Sequence, residues 1–372
     1  MVPGPALQVR RGQEVWVRLI NELPEATAVH WHGVRLVNAM DGAPPLTQAP
    51  IAPEETFDYR FIAPDAGTFW YHPPDWRHPV GQTRRGLYGV LIVTETDPPD
   101  VDRDLTLIFD KTLPSGTAAD GMANVVATGA VPFTVNGASD FAIRARVNDR
   151  LRLRLLNAAS GQILGLRVEG LRTFVMATDG EPAEPFVARE GRLLLGPGNR
   201  MDVFVDCTLA PGGTASITAA DAPGAAPIAR IICEAAAPGR TTPREDPLSL
   251  PASPLPERMD FTGAFRLDAT IGQLTEHDPV HDRAPLFTVK RGRTVVLGLS
   301  NPTSENQYIH LHGHHFRLLD ALDDGWKPFW LDSIPILPQG GSRVAFVADN
   351  PGRWLLEGLT TRSGADAWFD VT

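Results

Sequence analysis

Short runs of alternating or β-branched residues, cut by Gly and Pro, recur along the whole chain. They read EVWVRLI, FDYRFI, GVLIV, LTLIF, RLRLRLLN, RTFVMAT, DVFVD, TVVLGLS and SRVAFVA. A period of two sends successive side chains to opposite faces of a strand, so each run predicts a strand. No stretch sustains a helical period beyond about two turns. The 34 Gly and 34 Pro supply the frequent turns that many short strands need. The expected fold class is all-β, built from β-sandwiches.

A loose repeat runs through these strands. VRRGQEVWVRLINEL, RVNDRLRLRLLNAAS and VKRGRTVVLGLSNPT share a basic residue, a turn, an alternating strand and then Asn21, Asn157 or Asn301. The three Asn are spaced by roughly one small β-domain each. At 372 residues the chain is also too long for one ordinary core. Three β-sandwich domains are therefore expected, at 1–97, 98–236 and 259–372, with the Pro-rich stretch 237–258 as an extended linker.

Charge narrows the partners. The formal net charge is −10 and no basic run occurs, so no nucleic-acid partner is expected. Apolar stretches such as GVLIV are far shorter than the roughly 20 residues that span a bilayer, so no membrane span is expected. The opening MVPGPALQVRRG has no apolar signal-peptide core. The two cysteines, Cys207 and Cys233, lie in strand-like apolar runs. Buried, inert thiols are the expectation there, with one disulfide as the minority case.

Chemistry enters with histidine. VHWHG puts His30 and His32 two residues apart, hence on one face of a strand, and IHLHG does the same for His310 and His312. GTFWYHPP adds His72 at the end of an aromatic run. A lone His is more often packed or solvated than ligating. Two His-x-His pairs at equivalent places in repeated units instead suit copper or zinc. GPGNR precedes a strand rather than a helix, so it reads as a turn and not as a phosphate loop.

These motifs, with MDGAPPLTQAPIAP, TVNG, TDGEP, LGPGNRMDVFVD, HLHGHHFRLLD and NPGRWLL, make the chain resemble the three-domain, laccase-like multicopper oxidases over essentially its whole length. The resemblance implies three cupredoxin-like Greek-key β-sandwich domains and a trinuclear copper centre between the first and last. It also implies a mononuclear electron-entry copper, bound by two His and a Cys, in the last domain.

Residue by residue, the resemblance is incomplete. Glu357, Gly358 and Leu359 stand where the family has His-Cys-His, Ser363 replaces the next His, Trp368 the axial residue, and Gln307 the remaining His. The mononuclear site thus lacks every ligand. Of the eight trinuclear positions, His30, His32, His72, His310 and His312 remain, Pro74 replaces another His, and Glu357 and Leu359 replace the last two, Glu357 offering an oxygen in place of imidazole. Asp41 matches a family position that assists proton delivery, and reads equally well as a turn residue in DG. His78, His277 and His281 read as solvated, and His314 and His315 as packing or hydrogen-bonding groups beside the cluster.

The expectation is one copper or zinc ion at that cluster and no competent laccase. Two alternatives stay open: a metal-free scaffold with a protein partner, and an atypical oxidoreductase using a single type 2 copper. A monomer is expected, and the resemblance implies a periplasmic or secreted location.

Overall fold

The computed structural model describes residues 2–74, 81–111, 133–159, 161–219, 226–235, 241–271, 283–319, 329–359 and 366–372. All nine alternating runs named above form strands, from Glu14–Ile20 and Thr56–Ile62 to Arg293–Ser300 and Gly341–Ala348. His78, His277, His281 and Ser363 lie outside the described residues.

The strands make three successive pairs of sheets. The first pair holds a four-stranded sheet, ordered Leu7–Arg10, Gly89–Thr94, Gly67–His72 and His30–His32, and a two-stranded sheet of Glu14–Ile20 with Thr56–Ile62. A six- and a five-stranded sheet follow in the middle of the chain, then a four- and a five-stranded sheet at its end. In each pair the long strand after the basic turn is followed by one of the three repeated asparagines. Their bonding is the same. Asn21 Nδ2 donates to the carbonyls of Glu25 and Ile51, Asn157 Nδ2 to Gln162 and Leu195, and Asn301 Nδ2 to Glu305 and Ile336. Each Oδ1 accepts from the amide two residues on, at Leu23, Ala159 and Thr303. One side chain thus satisfies the backbone of a corner that no sheet ladder reaches. The repeat seen in sequence is a repeat of hydrogen bonds.

Alternation usually leaves one face in water, but Arg150–Asn157 is buried along its whole length. Its polar face is an interface. Arg152 binds Glu95 and Asp202, and Arg154 binds Asp104, Asp202 and the hydroxyl of Thr68. Buried guanidinium groups persist only when paired in this way. The stretch 241–258 forms no strand, and the Glu245 carbonyl accepts from Arg150.

The cysteines correct an expectation. Cys207 and Cys233 are joined in a disulfide, with Cα atoms 6.0 Å apart, rather than standing as free thiols. Both are fully buried in the core of the middle pair of sheets, Cys207 just after the strand Arg200–Asp206 and Cys233 within Ala229–Glu234.

Candidate metal centre

The strand His30–His32 is only three residues long, and its alternation divides the work. Trp31 points into the apolar core, while His30 and His32 point the other way. His72 ends the neighbouring strand directly opposite His30 in register. From the last pair of sheets, His310 lies in Gln307–Leu311, opposite Glu357 of Gly352–Gly358. His312 follows just after that strand, its amide donating to the Leu355 carbonyl. All five imidazoles are buried, and so are Asp41 and Glu357.

The ring nitrogens are sorted. His30 Nδ1 donates to the Asp41 carbonyl at 2.8 Å, His72 Nδ1 to the Pro73 carbonyl at 2.8 Å, and His310 Nδ1 to the Asp332 carbonyl at 3.0 Å. His312 Nδ1 lies 2.9 Å from Asp41 Oδ2. A carbonyl oxygen only accepts, so a proton sits on Nδ1 in the first three, and in the neutral ring Nε2 carries the lone pair. His32 is reversed: its Nε2 faces Ser333 Oγ at 3.1 Å and Asp332 Oδ1 at 3.4 Å, which leaves Nδ1 facing the cluster.

As a result, lone pairs point at lone pairs. His30 Nε2 and His310 Nε2 are 3.2 Å apart, and His32 Nδ1 and His72 Nε2 are 3.3 Å apart. Neither contact can be an ordinary hydrogen bond in these tautomers. Two metal–nitrogen bonds of about 2.0 Å at the tetrahedral angle put their nitrogens about 3.3 Å apart, so the spacing fits a shared cation. His30, His32 and His72 form one group of converging donors, and His30, His310 and His312 form another. Each imidazole also hands its second nitrogen to an oxygen, the arrangement that fixes ligand orientation in metal sites.

Charge is unevenly spread. Burial pushes His72 down to about 3 and His310 down to about 4, while His32 falls well below its usual value for the same reason. His312 goes the other way. Burial would lower it, but the Asp41 and Glu357 carboxylates on either side raise it to about 10. Burial works against ionisation of Glu357, yet its bond to His312, at 3.3 Å, holds it down at about 2. Asp41 is likewise kept ionised against its burial by His312 and His30. Asp41 is also the turn residue that the sequence suggested, closing the 3-10 turn Asn38–Met40 with its amide on the Asn38 carbonyl. His314 packs edge-on to Phe346 and Trp354, and His315 bonds to the Asp179 carbonyl, so neither faces the cluster.

The positions beside the cluster that carry other side chains in place of imidazole or thiol are filled. Gln307 and Leu359 are fully buried, and Leu359 packs with Trp70, Tyr88 and Tyr308. Trp368 donates its indole N–H to the Arg283 carbonyl. The Gly358 amide donates to Asp366. Sequence reading missed Asp332, Ser333 and Arg200. In LDSIP and GPGNR they look like turn residues, and only their burial sets them apart.

Comparison with known proteins places the whole chain in one family. Residues 1–98, 95–222 and 251–358 each match a family model described as multicopper oxidase. The chain is 30% identical to multicopper oxidase MmcO of Mycobacterium tuberculosis, over 95% of this chain and 78% of that protein. It is 27% identical to Laccase-1 of Botryotinia fuckeliana, over 95% of this chain and 74% of that one. The crystal structure of a multi-copper oxidase from Pseudomonas thermotolerans superposes with a TM-score of 0.85 at 29% identity, covering 100% of this chain and 92% of the other.

Proposed function

The chain belongs to the multicopper oxidase family, and on that premise we propose a copper-binding member that holds one ion at the junction of its first and last sheet pairs and lacks the electron-entry site. The observation that carries this reading is the pair of facing imidazole lone pairs, His30 with His310 and His32 with His72. Such repulsive contacts are costly in a buried site unless a cation lies between them. Neutral imidazoles suit copper or zinc, and intrinsic affinity favours copper.

In this reading His30, His310 and the His32–His72 pair are the ligand donors, with Glu357 as an oxygen donor beside them. His312 carries a proton between Asp41 and Glu357, and it offers Nε2 as a ligand only after releasing that proton. Glu357 is placed to accept it, since its Oε2 faces His312 Nε2, while Asp41 Oδ2 keeps the Nδ1 proton. Copper would supply a one-electron couple at this position. Gly358, Gln307 and Trp368 offer no thiolate or imidazole for a second, tuned copper. A relay of electrons from a bulky phenol therefore has no starting point, and laccase turnover is not expected. Among the described residues no helix is long and apolar enough to cross a membrane. A periplasmic or secreted setting, common in the family, suits the buried disulfide.

Metal analysis of protein purified without added copper tests the reading. About one copper or zinc per chain is expected, with a melting temperature that falls on chelation, because an ion at 100 times its Kd stabilises by about 2.7 kcal/mol. The double substitution His30→Ala and His310→Ala should remove both effects. Wild-type protein that binds neither metal at micromolar concentration, and melts identically with chelator, would leave a metal-free scaffold as the reading.

A further inference from the structure

The middle pair of sheets contributes no histidine to the cluster, yet one of its side chains reaches into it. Arg200, fully buried at the start of Arg200–Asp206, uses all five of its N–H groups. Nε donates to the Thr68 carbonyl of the first sheet pair at 3.1 Å. Nη1 donates to the Gly198 carbonyl at 3.0 Å and to Asp332 Oδ1 at 2.9 Å, and Nη2 to the Asp179 carbonyl at 2.9 Å and to Asp332 Oδ2 at 2.6 Å. The guanidinium thus joins all three parts of the chain and grips Asp332 as a two-pronged fork.

Asp332 passes that placement on. Its Oδ1 accepts the Ser333 hydroxyl at 2.8 Å, so the Ser333 oxygen keeps its lone pairs for two imidazoles. These are His32 Nε2 at 3.1 Å and His310 Nδ1 at 3.0 Å. The two rings lie stacked, 3.6 Å between centroids, over one shared support. Asp179 completes the frame by accepting from the amides of Asp332 and Arg200.

From these contacts we infer that Arg200, Asp332 and Ser333 form a clamp that decides which nitrogen His32 and His310 present to the cluster. The clamp explains why His32 alone offers Nδ1 while its neighbours offer Nε2. Without an acceptor at its Nε2, the His32 proton would be free to move to Nδ1 and cancel a donor. The clamp also accounts for two glycines. Gly33, with φ +85°, passes so close that a Cβ would lie 2.1 Å from Arg200 Nη2 and 2.5 Å from Asp332 Oδ2. Gly198, at φ +79°, would place a Cβ 2.8 Å from His32 Cε1. These three are positioning residues. Ser333 and Asp332 touch His32 and His310, and Arg200 holds Asp332.

The inference rests on the copper-binding reading for its consequence but not for its test. Long-range nitrogen–proton NMR on metal-free protein labelled with 15N-histidine reads each tautomer directly. His32 should appear as the Nε2–H form and His310 as the Nδ1–H form. Asp332→Asn should abolish the fixed Nε2–H signal of His32 and weaken copper binding about 10- to 100-fold. Ser333→Ala leaves the Arg200–Asp332 ion pair intact and so keeps the fold. It should give a mixed His32 tautomer and a loss of about 10-fold. An Nδ1–H form of His32 in the wild type would overturn the clamp. So would a folded Ser333→Ala protein with unchanged tautomers and unchanged copper affinity. A wild type with the expected tautomers that binds no metal would instead overturn the copper reading and leave the clamp standing.

Discussion

Glu357 and Gly358 are neighbours on one strand, and they border two very different regions. Glu357 turns toward the histidine cluster, where nitrogen and oxygen atoms converge and each ring is braced from behind. One residue further, Leu359 lies among Trp70, Tyr88 and Tyr308, and Gln307 is sealed in beside the strand. The backbone is continuous and the sheet register unbroken across both. What differs is packing. The cluster keeps polar groups that face one another, whereas Leu359 is enclosed by hydrocarbon and Trp368 has its indole N–H bonded to the Arg283 carbonyl. Side chains as unlike as these can occupy one strand without altering it, because the ladder hydrogen bonds do not depend on side-chain identity.

The largest expected effect is all-or-none. Protein reconstituted with copper should show no intense blue thiolate-to-copper band and negligible O2 uptake with phenols. A strong band with narrow copper hyperfine splitting would mean the packed corner still binds copper, and the contrast between the two regions would collapse.

Acid should act through the buried imidazoles, those of the cluster among them. His72 and His310 titrate near 3 and 4 in the folded protein, below the ordinary 6.5. Between those values the unfolded chain binds more protons, so stability is present above about pH 6.5 and is lost as pH falls, at about 1.4 kcal/mol per unit for each group. His312, raised to about 10, has the opposite sign: its contribution is full below 6.5 and disappears as pH rises through 10. Metal-free protein should therefore be most stable near pH 6.5, with urea midpoints falling toward pH 4.5 and, less steeply, toward pH 10. A flat profile from pH 6.5 to 4.5 would show that these imidazoles are not held neutral.

Two substitutions sharpen the contrast further. Leu359→Ala empties part of the packed corner and should cost about 2–5 kcal/mol of stability while weakening metal affinity less than Glu357→Gln does. Glu357→Gln, on the other side, should weaken metal binding less than about 10-fold, corresponding to roughly 1 kcal/mol, with a small change in melting temperature. Calorimetry and metal titration on the same two proteins separate these outcomes. Equal effects on metal binding would show that the corner and the cluster are one site.

The two regions were unequally legible in the sequence. Strands and His-x-His faces follow from a period of two, so VHWHG and IHLHG announced themselves, as did the shared layout around Asn21, Asn157 and Asn301. The packed corner was visible only as missing ligands, through resemblance. Arg200 was hidden because GPGNR reads as a turn, and its guanidinium acts on residues more than a hundred positions away. Asp332 and Ser333 were hidden for the same reason. The buried arginines of RLRLRLLN show the limit of alternation. A polar face indicates a second environment, and whether that is water or another sheet depends on the tertiary fold. The disulfide was equally out of reach, since a separation of 26 residues does not decide whether two thiols meet.

One apolar cluster runs without a break from Val15, Trp31 and Phe69 of the first sheet pair to Phe316, Phe346 and Trp354 of the last, whereas the middle pair has its own. Asn38 bonding to the Arg353 carbonyl, and Asn350 to the Leu36 carbonyl, seal that seam. Units adjacent in sequence are thus not the cooperative units of the molecule. Heating should melt the two ends of the chain as one calorimetric transition. A nascent chain must therefore wait for its last hundred residues before its first hundred gain their full stability.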